Sequence, residues 1–176
     1  MLTLNNKIDH SDNIFAQLVL PYEMRENSRL RTTLACGEEV AIFTARGTVL
    51  RHHDLLQGED GRVVQIVAAA EPTYRITCRT PHDLLRCAFH LGNRHTQTQV
   101  GDGFLRIHQD SVLKQMLQGL GATVTDETAP FEPEAGAYGS SGGHHHHHHG
   151  DGHYHAHGPL APIPARQKIH RPSDSQ

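Results

Sequence analysis

The chain has 176 residues, 36% of them apolar, with 16 Lys and Arg against 19 Asp and Glu for a net charge of −3. That length allows one ordinary domain or two small ones, and the charge balance argues against a dedicated nucleic-acid binder, whose affinity comes from a basic face. No stretch reaches the roughly 18 to 20 apolar residues of a membrane span, and the start lacks a basic segment followed by a long apolar core, so neither a membrane nor a secreted protein is expected.

Residues 1–72 read as an all-β module. Ile14–Leu20 is a near-continuous apolar run, and Val40–Thr44, Thr48–Leu50 and Val63–Ala68 are rich in β-branched and apolar residues, as strands are. Turn signals separate them at Cys36-Gly37, Arg46-Gly47 and Glu59-Asp60-Gly61. The Asp60-Gly61 pair between Leu55-Leu56 and Val63-Val64 predicts a hairpin. Glu71-Pro72-Thr73 then reads as a short linker.

A second module is expected over residues 73–138. Tyr74–Arg79 fits a strand, Thr80 a helix N-cap, and Pro81 the first helical position. Leu84, Leu85, Ala88 and Leu91 recur at helical spacing, and Gly92 is the expected stop. Gln97–Val100 and Phe104–Ile107 flank Gly101-Asp102-Gly103 as a hairpin. Asp110 caps a second helix with Val112, Leu113, Met116, Leu117 and Leu120 on its apolar face. Gly119 and Gly121 end that helix, and Ala122–Thr125 is a last strand. The order β-α-β-β-α-β is the ferredoxin-like arrangement. The name describes topology only, because the cysteines are wrong for an iron–sulfur cluster. The expected fold class is α+β: an all-β domain, a ferredoxin-like domain, and a His-rich tail over residues 139–176. That tail has no apolar face to offset ordering entropy and is expected to be mobile without metal. Two modules of this size are marginal alone, so a homodimer is expected, with a metal-linked tetramer left open.

The three cysteines, Cys36, Cys78 and Cys87, are odd in number and form no Cys-x-x-Cys pair, which suits reduced thiols in a cytoplasmic protein. Cys36 and Cys87 read as small buried hydrophobes, and Cys78 lies at a strand end where it could approach a metal. The anomaly is 17 His. His144, His145, His146, His147, His148 and His149 run consecutively, and His153, His155 and His157 follow in alternation. A purification tag is usually terminal, whereas this run is internal and continues into an alternating pattern. Imidazole suits Ni, Cu and Zn and binds only when neutral, so affinity falls as pH drops through about 6.5. His95 is the sharper candidate. It lies just past the helix stop, where the helix C-terminus favours a cation. One His is not a metal site, but two copies of His95 near a two-fold axis, joined by tail imidazoles, would be. His108, at the end of the last hairpin strand, could approach the same place. His10, His52, His53, His82, His90 and His170 read as surface or structural residues.

Phe89-His-Leu-Gly-Asn-Arg-His95, Leu105-Arg-Ile-His-Gln-Asp-Ser-Val-Leu113, Pro130-Phe-Glu-Pro-Glu-Ala-Gly-Ala-Tyr138 and the His-rich tail together resemble the UreE family, the nickel metallochaperones of urease maturation. Phe43-Thr-Ala-Arg-Gly-Thr-Val-Leu50 is similar to that family's N-terminal module. The resemblance implies an N-terminal domain of the peptide-binding type and a C-terminal domain that carries metal and dimerises. It implies nickel held by His95 across the dimer interface. It also implies a urease accessory GTPase as partner and, through it, the urease apoprotein complex. Zinc or copper would compete for the same imidazoles. Some relatives carry further His where this chain has Gln109 and Ser111, so only His108 is carried over from that segment.

Three other functions compete with nickel delivery. A metal storage or detoxification protein would use the same tail without a delivery partner. An enzyme is disfavoured, because no nucleophile motif, phosphate loop or His-Glu-x-x-His occurs. An RNA-binding sheet would need stacked aromatics, and Phe104 is alone in the hairpin.

Overall fold

The computed structural model describes residues 1–135. The His-rich tail, including every imidazole from His144 to His157, lies outside the described residues, as does His170.

The N-terminal half contains β1 (Leu2–Ile8), β2 (Ala16–Leu20), α1 (Tyr22–Arg25), β3 (Arg29–Thr33), β4 (Glu39–Phe43), β5 (Leu55–Gly58) and β6 (Val63–Ala68). Its strands form one sheet in the order β2-β6-β5-β1-β4-β3. β1 runs parallel to β4 and β2 parallel to β6, while the remaining neighbours are antiparallel. Leu4, Ile42, Leu56, Val64 and Ile66 are fully buried in its core, each contributing about 1.5–3 kcal/mol of burial. The expected hairpin is present: Leu56 faces Val64, and Gly61 takes the left-handed conformation at φ 83°. Arg62 locks the turn by binding Asp60 and forking onto Glu38 at 2.7 and 2.8 Å.

Four local expectations change here, the first being that Cys36, read as a small buried hydrophobe, is exposed. The short helix α1 interrupts a module read as all-β. Thr48–Leu50 is not a strand. Leu50 is instead a buried loop anchor whose N–H donates to the Arg25 carbonyl at 2.9 Å. Glu71-Pro72-Thr73 is not a linker but part of β7 (Ala70–Thr77). Pro72 is tolerated because β9 pairs with β7 only from Thr73 onward, so a single neighbour flanks the strand at the proline.

β7 opens the C-terminal half, followed by α2 (Pro81–Gly92), β8 (Gln99–Gly101), β9 (Phe104–His108), α3 (Ser111–Gly119) and β10 (Thr123–Pro130). The sheet order is β10-β7-β9-β8, antiparallel throughout. The molecule is therefore α+β, with two sheets and few helices. Tyr74, Ile76, Leu105 and Ile107 alternate onto one face and pack against Cys87 and Leu91 of α2 and Leu117 of α3. Both predicted caps are made. Thr80 Oγ1 accepts from the Asp83 N–H, and Asp110 Oδ1 accepts from the Val112 and Leu113 N–H groups at 2.8 and 2.9 Å. Two residues expected on the buried faces are exposed, Leu85 at 69% and Val112 at 72%. In α2 the buried stripe is Leu84, Cys87, Ala88 and Leu91, and Leu85 instead lies four residues before Phe89, both exposed.

The segment after β10 joins the halves. Phe131 is fully buried, edge-on to Tyr22 of α1. The buried Arg25 guanidinium donates to Glu132, to the Phe131 carbonyl and to the Leu50 carbonyl. Arg51 donates to the Pro133 carbonyl at 2.8 Å. On the other side, the N–H groups of Glu132 and Glu134 donate to Gln99 Oε1 and the Thr98 carbonyl, each at 3.0 Å.

Candidate metal centre

His95 is set by the way α2 ends. Gly92, the expected stop, is the last helical residue and keeps a negative φ. The chain turns left-handed three residues later, at His95 itself, with φ 54°. Two bonds close the turn: His95 N–H to the Gly92 carbonyl at 2.9 Å, and Thr96 N–H to the Leu91 carbonyl at 3.1 Å. This is the Schellman pattern. α3 ends the same way, with Gly121 N–H to Gln118 at 2.9 Å and Ala122 N–H to Leu117 at 3.1 Å. There the left-handed residue is Gly121, at φ 88°. In α2 an imidazole occupies the place where glycine is the default, at a strain of about 1 kcal/mol. Strain of this kind clusters at functional sites.

The turn exposes His95 beside an open cavity of about 400 Å³ lined by Ala88, Gly92, Thr96, Gln97, Thr98, Val100 and Glu134. The negative end of the α2 dipole favours a cation beside this turn, and the Arg94 guanidinium already donates to the His90 carbonyl there at 3.2 Å. Leu85, Phe89 and Val100 expose large apolar side chains on the same module.

His108 is engaged elsewhere. Its Nε2 lies 3.0 Å from Glu71 Oε2, and its ring packs 4.2 Å from Phe131. Glu71 also accepts the Tyr22 N–H at 2.7 Å, so His108 faces the seam between the halves and is not in the wall of the His95 cavity. Cys78 is likewise apart from His95, with its Sγ 3.8 Å from the Cys87 Sγ. Burial first, and then the Cys78 thiol, push the Cys87 thiol up to about 11, so it stays protonated at neutral pH. His52 accepts the Ala68 N–H at 3.1 Å and stacks edge-on with His53. His10 pairs with Asp12, while His82 and His90 lie on α2. Among the described residues, no three His, Cys, Asp or Glu side chains come together as a ready metal cage. What sequence reasoning did not foresee is the left-handed backbone at His95. The only signal was that Asn-Arg-His continues past Gly92 without a second glycine.

Two sheet modules clamped together, with a left-handed imidazole at a helix terminus, define a two-domain α+β protein; among the described non-glycine residues His53 is also left-handed, at φ 72°. Among the described residues, no helix is long and apolar enough to cross a membrane. Comparison with known proteins gives the particular family. The model for the UreE urease accessory protein N-terminal domain matches residues 4–69, and that for its C-terminal domain matches residues 71–157. A urease accessory protein UreE from Nitrosospira multiformis is 76% identical over 174 residues, covering 99% of this chain and 98% of the relative. One from Janthinobacterium sp. is 64% identical over the same shares of both chains. One from Ectopseudomonas mendocina is 49% identical over 152 residues, 86% of this chain and 90% of the relative. The chain belongs to the UreE urease accessory protein family, chaperones of urease maturation.

Proposed function

We propose that this chain captures nickel ions and delivers them for assembly of the urease active site. The observation that carries this reading is His95, an exposed imidazole held at a strained left-handed helix cap. A delivery protein must hold its ion firmly and still release it, and a site with few fixed ligands serves both needs. Two His95 side chains meet across a two-fold axis in a homodimer. The exposed Leu85, Phe89 and Val100 supply the apolar surface that such a contact buries. In this reading residues 1–72 form the peptide-binding-type domain and residues 73–138 the ferredoxin-like, metal-binding and dimerising domain. The order β10-β7-β9-β8 supports the ferredoxin-like assignment.

The tail, residues 139–176, recruits and shields the ion through His144–His149, His153, His155 and His157. Its root supports that role, since Glu134 lines the His95 cavity and an extended chain covers about 3.5 Å per residue, enough for ten residues to span roughly 35 Å. His108 acts as an auxiliary ligand only if it leaves Glu71. Zinc and copper compete for the same donors. The partners are the urease accessory GTPase and the urease apoprotein complex, in the cytoplasm.

The test is nickel transfer to apo-urease by the wild type and by His95→Ala. Delivery predicts that the variant loses transfer, and unchanged transfer would refute the assignment. Storage without delivery, the second reading, predicts that no accessory GTPase is recovered with the protein.

A further inference from the structure

We propose that the Glu134 carboxylate is the oxygen ligand that completes the His95 site, each protomer contributing one imidazole and one carboxylate to a divalent cation. The inference rests on the nickel-binding reading of His95 and names what else holds the ion. Glu134 does not reach the site by chance of a loop. Its backbone N–H is tied to the Thr98 carbonyl at 3.0 Å, three residues beyond His95, while the Glu132 N–H is tied to Gln99. Both His95 and Glu134 line the same open cavity.

The segment's two carboxylates are used differently. Glu132 is committed to the buried Arg25 and to Arg51. Glu134 is exposed, and its carboxylate makes no ion pair or hydrogen bond among the described residues. Glu26 also approaches this side, but it accepts from Gln97 at 3.3 Å. Glu134 is therefore the uncommitted acid at the cavity.

The chemistry is consistent. One imidazole does not hold a metal, and two imidazoles alone leave the dication's charge unbalanced. Two imidazoles with two carboxylates make an N₂O₂ set whose two negative charges balance the dication, and tetragonal N,O donors suit Ni(II) and Cu(II). Carboxylates also exchange more readily than thiolates, as release to a partner requires.

The experiment is calorimetric titration of the full chain with nickel(II), comparing wild type, Glu134→Gln, His95→Ala and the double variant. Glu134→Gln should weaken the site that His95→Ala removes by at least about 10- to 100-fold, the range seen when even a group that only orients a ligand is lost. Binding at the tail should be unchanged, and the double variant should match His95→Ala, as members of one site do. The thermal midpoint of apo Glu134→Gln should equal that of wild type, because the bond to Thr98 is made by the backbone. Wild-type affinity in Glu134→Gln, with the site still lost in His95→Ala, would overturn this proposal alone. An undiminished loss on adding Glu134→Gln to His95→Ala would also overturn it, by placing the carboxylate at another site. If His95→Ala keeps every site, the underlying reading fails, and this proposal fails with it.

Discussion

A left-handed histidine makes a prediction that separates structure from function. His95 and Gly121 occupy equivalent positions in two Schellman turns, at φ 54° and 88°. Replacing His95 by Gly removes a side chain from a conformation that L-residues avoid. His95→Gly should therefore raise stability by roughly 0.5–1 kcal/mol while abolishing the tight nickel site. Urea unfolding of the apo protein checks the first half, and a destabilised variant would show that His95 is held by contacts rather than strained. Gly92 drew the expected stop because glycine is the common signal, and propensity cannot say that the turn runs three residues further. Arg62 gives a second prediction at this scale. Its side chain holds the Glu38 carboxyl below its usual range, while Asp60 is lowered first by the Arg62 backbone N–H, which an alanine keeps, and then by the side chain. A lowered folded-state pKa stabilises the protein above the ordinary carboxylate range of about 4, and that gain disappears as pH falls through the lowered values. Arg62→Ala should thus be most destabilising at neutral pH, with the difference from wild type shrinking in acid. A pH series of unfolding midpoints measures it.

Helices and strands differ in how much of themselves the sequence announces. Both long helices were legible from their first residues, because Thr80-Pro81 and Asp110 are capping chemistry with a local cause. Asp110→Ala removes the acceptor of two orphan N–H groups and should cost about 1–2 kcal/mol by denaturant unfolding, with nickel affinity unchanged. The strands were less legible. β1 shows apolar alternation only at Leu2 and Leu4 before Asn5-Asn6-Lys7, and β3 is an edge strand of Arg and Thr with Leu30 as its sole large apolar residue. Their pairings are long-range, and no local signal encodes them. The Leu85 and Phe89 stripe was hidden for a related reason. Helical periodicity marks which residues are apolar, and it cannot tell the face that meets this sheet from one that meets a partner.

The two halves act together because residues 131–134 are clamped from both sides. Arg25 is fully buried, and Glu132 is its only anionic partner among the described residues. Glu132→Ala leaves that guanidinium with carbonyl partners alone and should cost on the order of 3 kcal/mol, read from urea unfolding. The same variant should weaken nickel binding, since it loosens the segment that carries Glu134. This clamp was invisible in the sequence, where Phe-Glu-Pro-Glu marks a family but does not say which acid pairs with the buried Arg25 and which faces the cavity.

In the proposed function the metal is held at the dimer seam by His95, with the tail as auxiliary. Nickel calorimetry with light scattering tests it on the full chain, on a chain ending at Tyr138, and on that shorter chain carrying His95→Ala. Dimers are expected throughout, with one tight ion per dimer that survives truncation and vanishes with His95→Ala. Loss of all tight binding on truncation alone would contradict it, making the tail the metal site and storage the better reading.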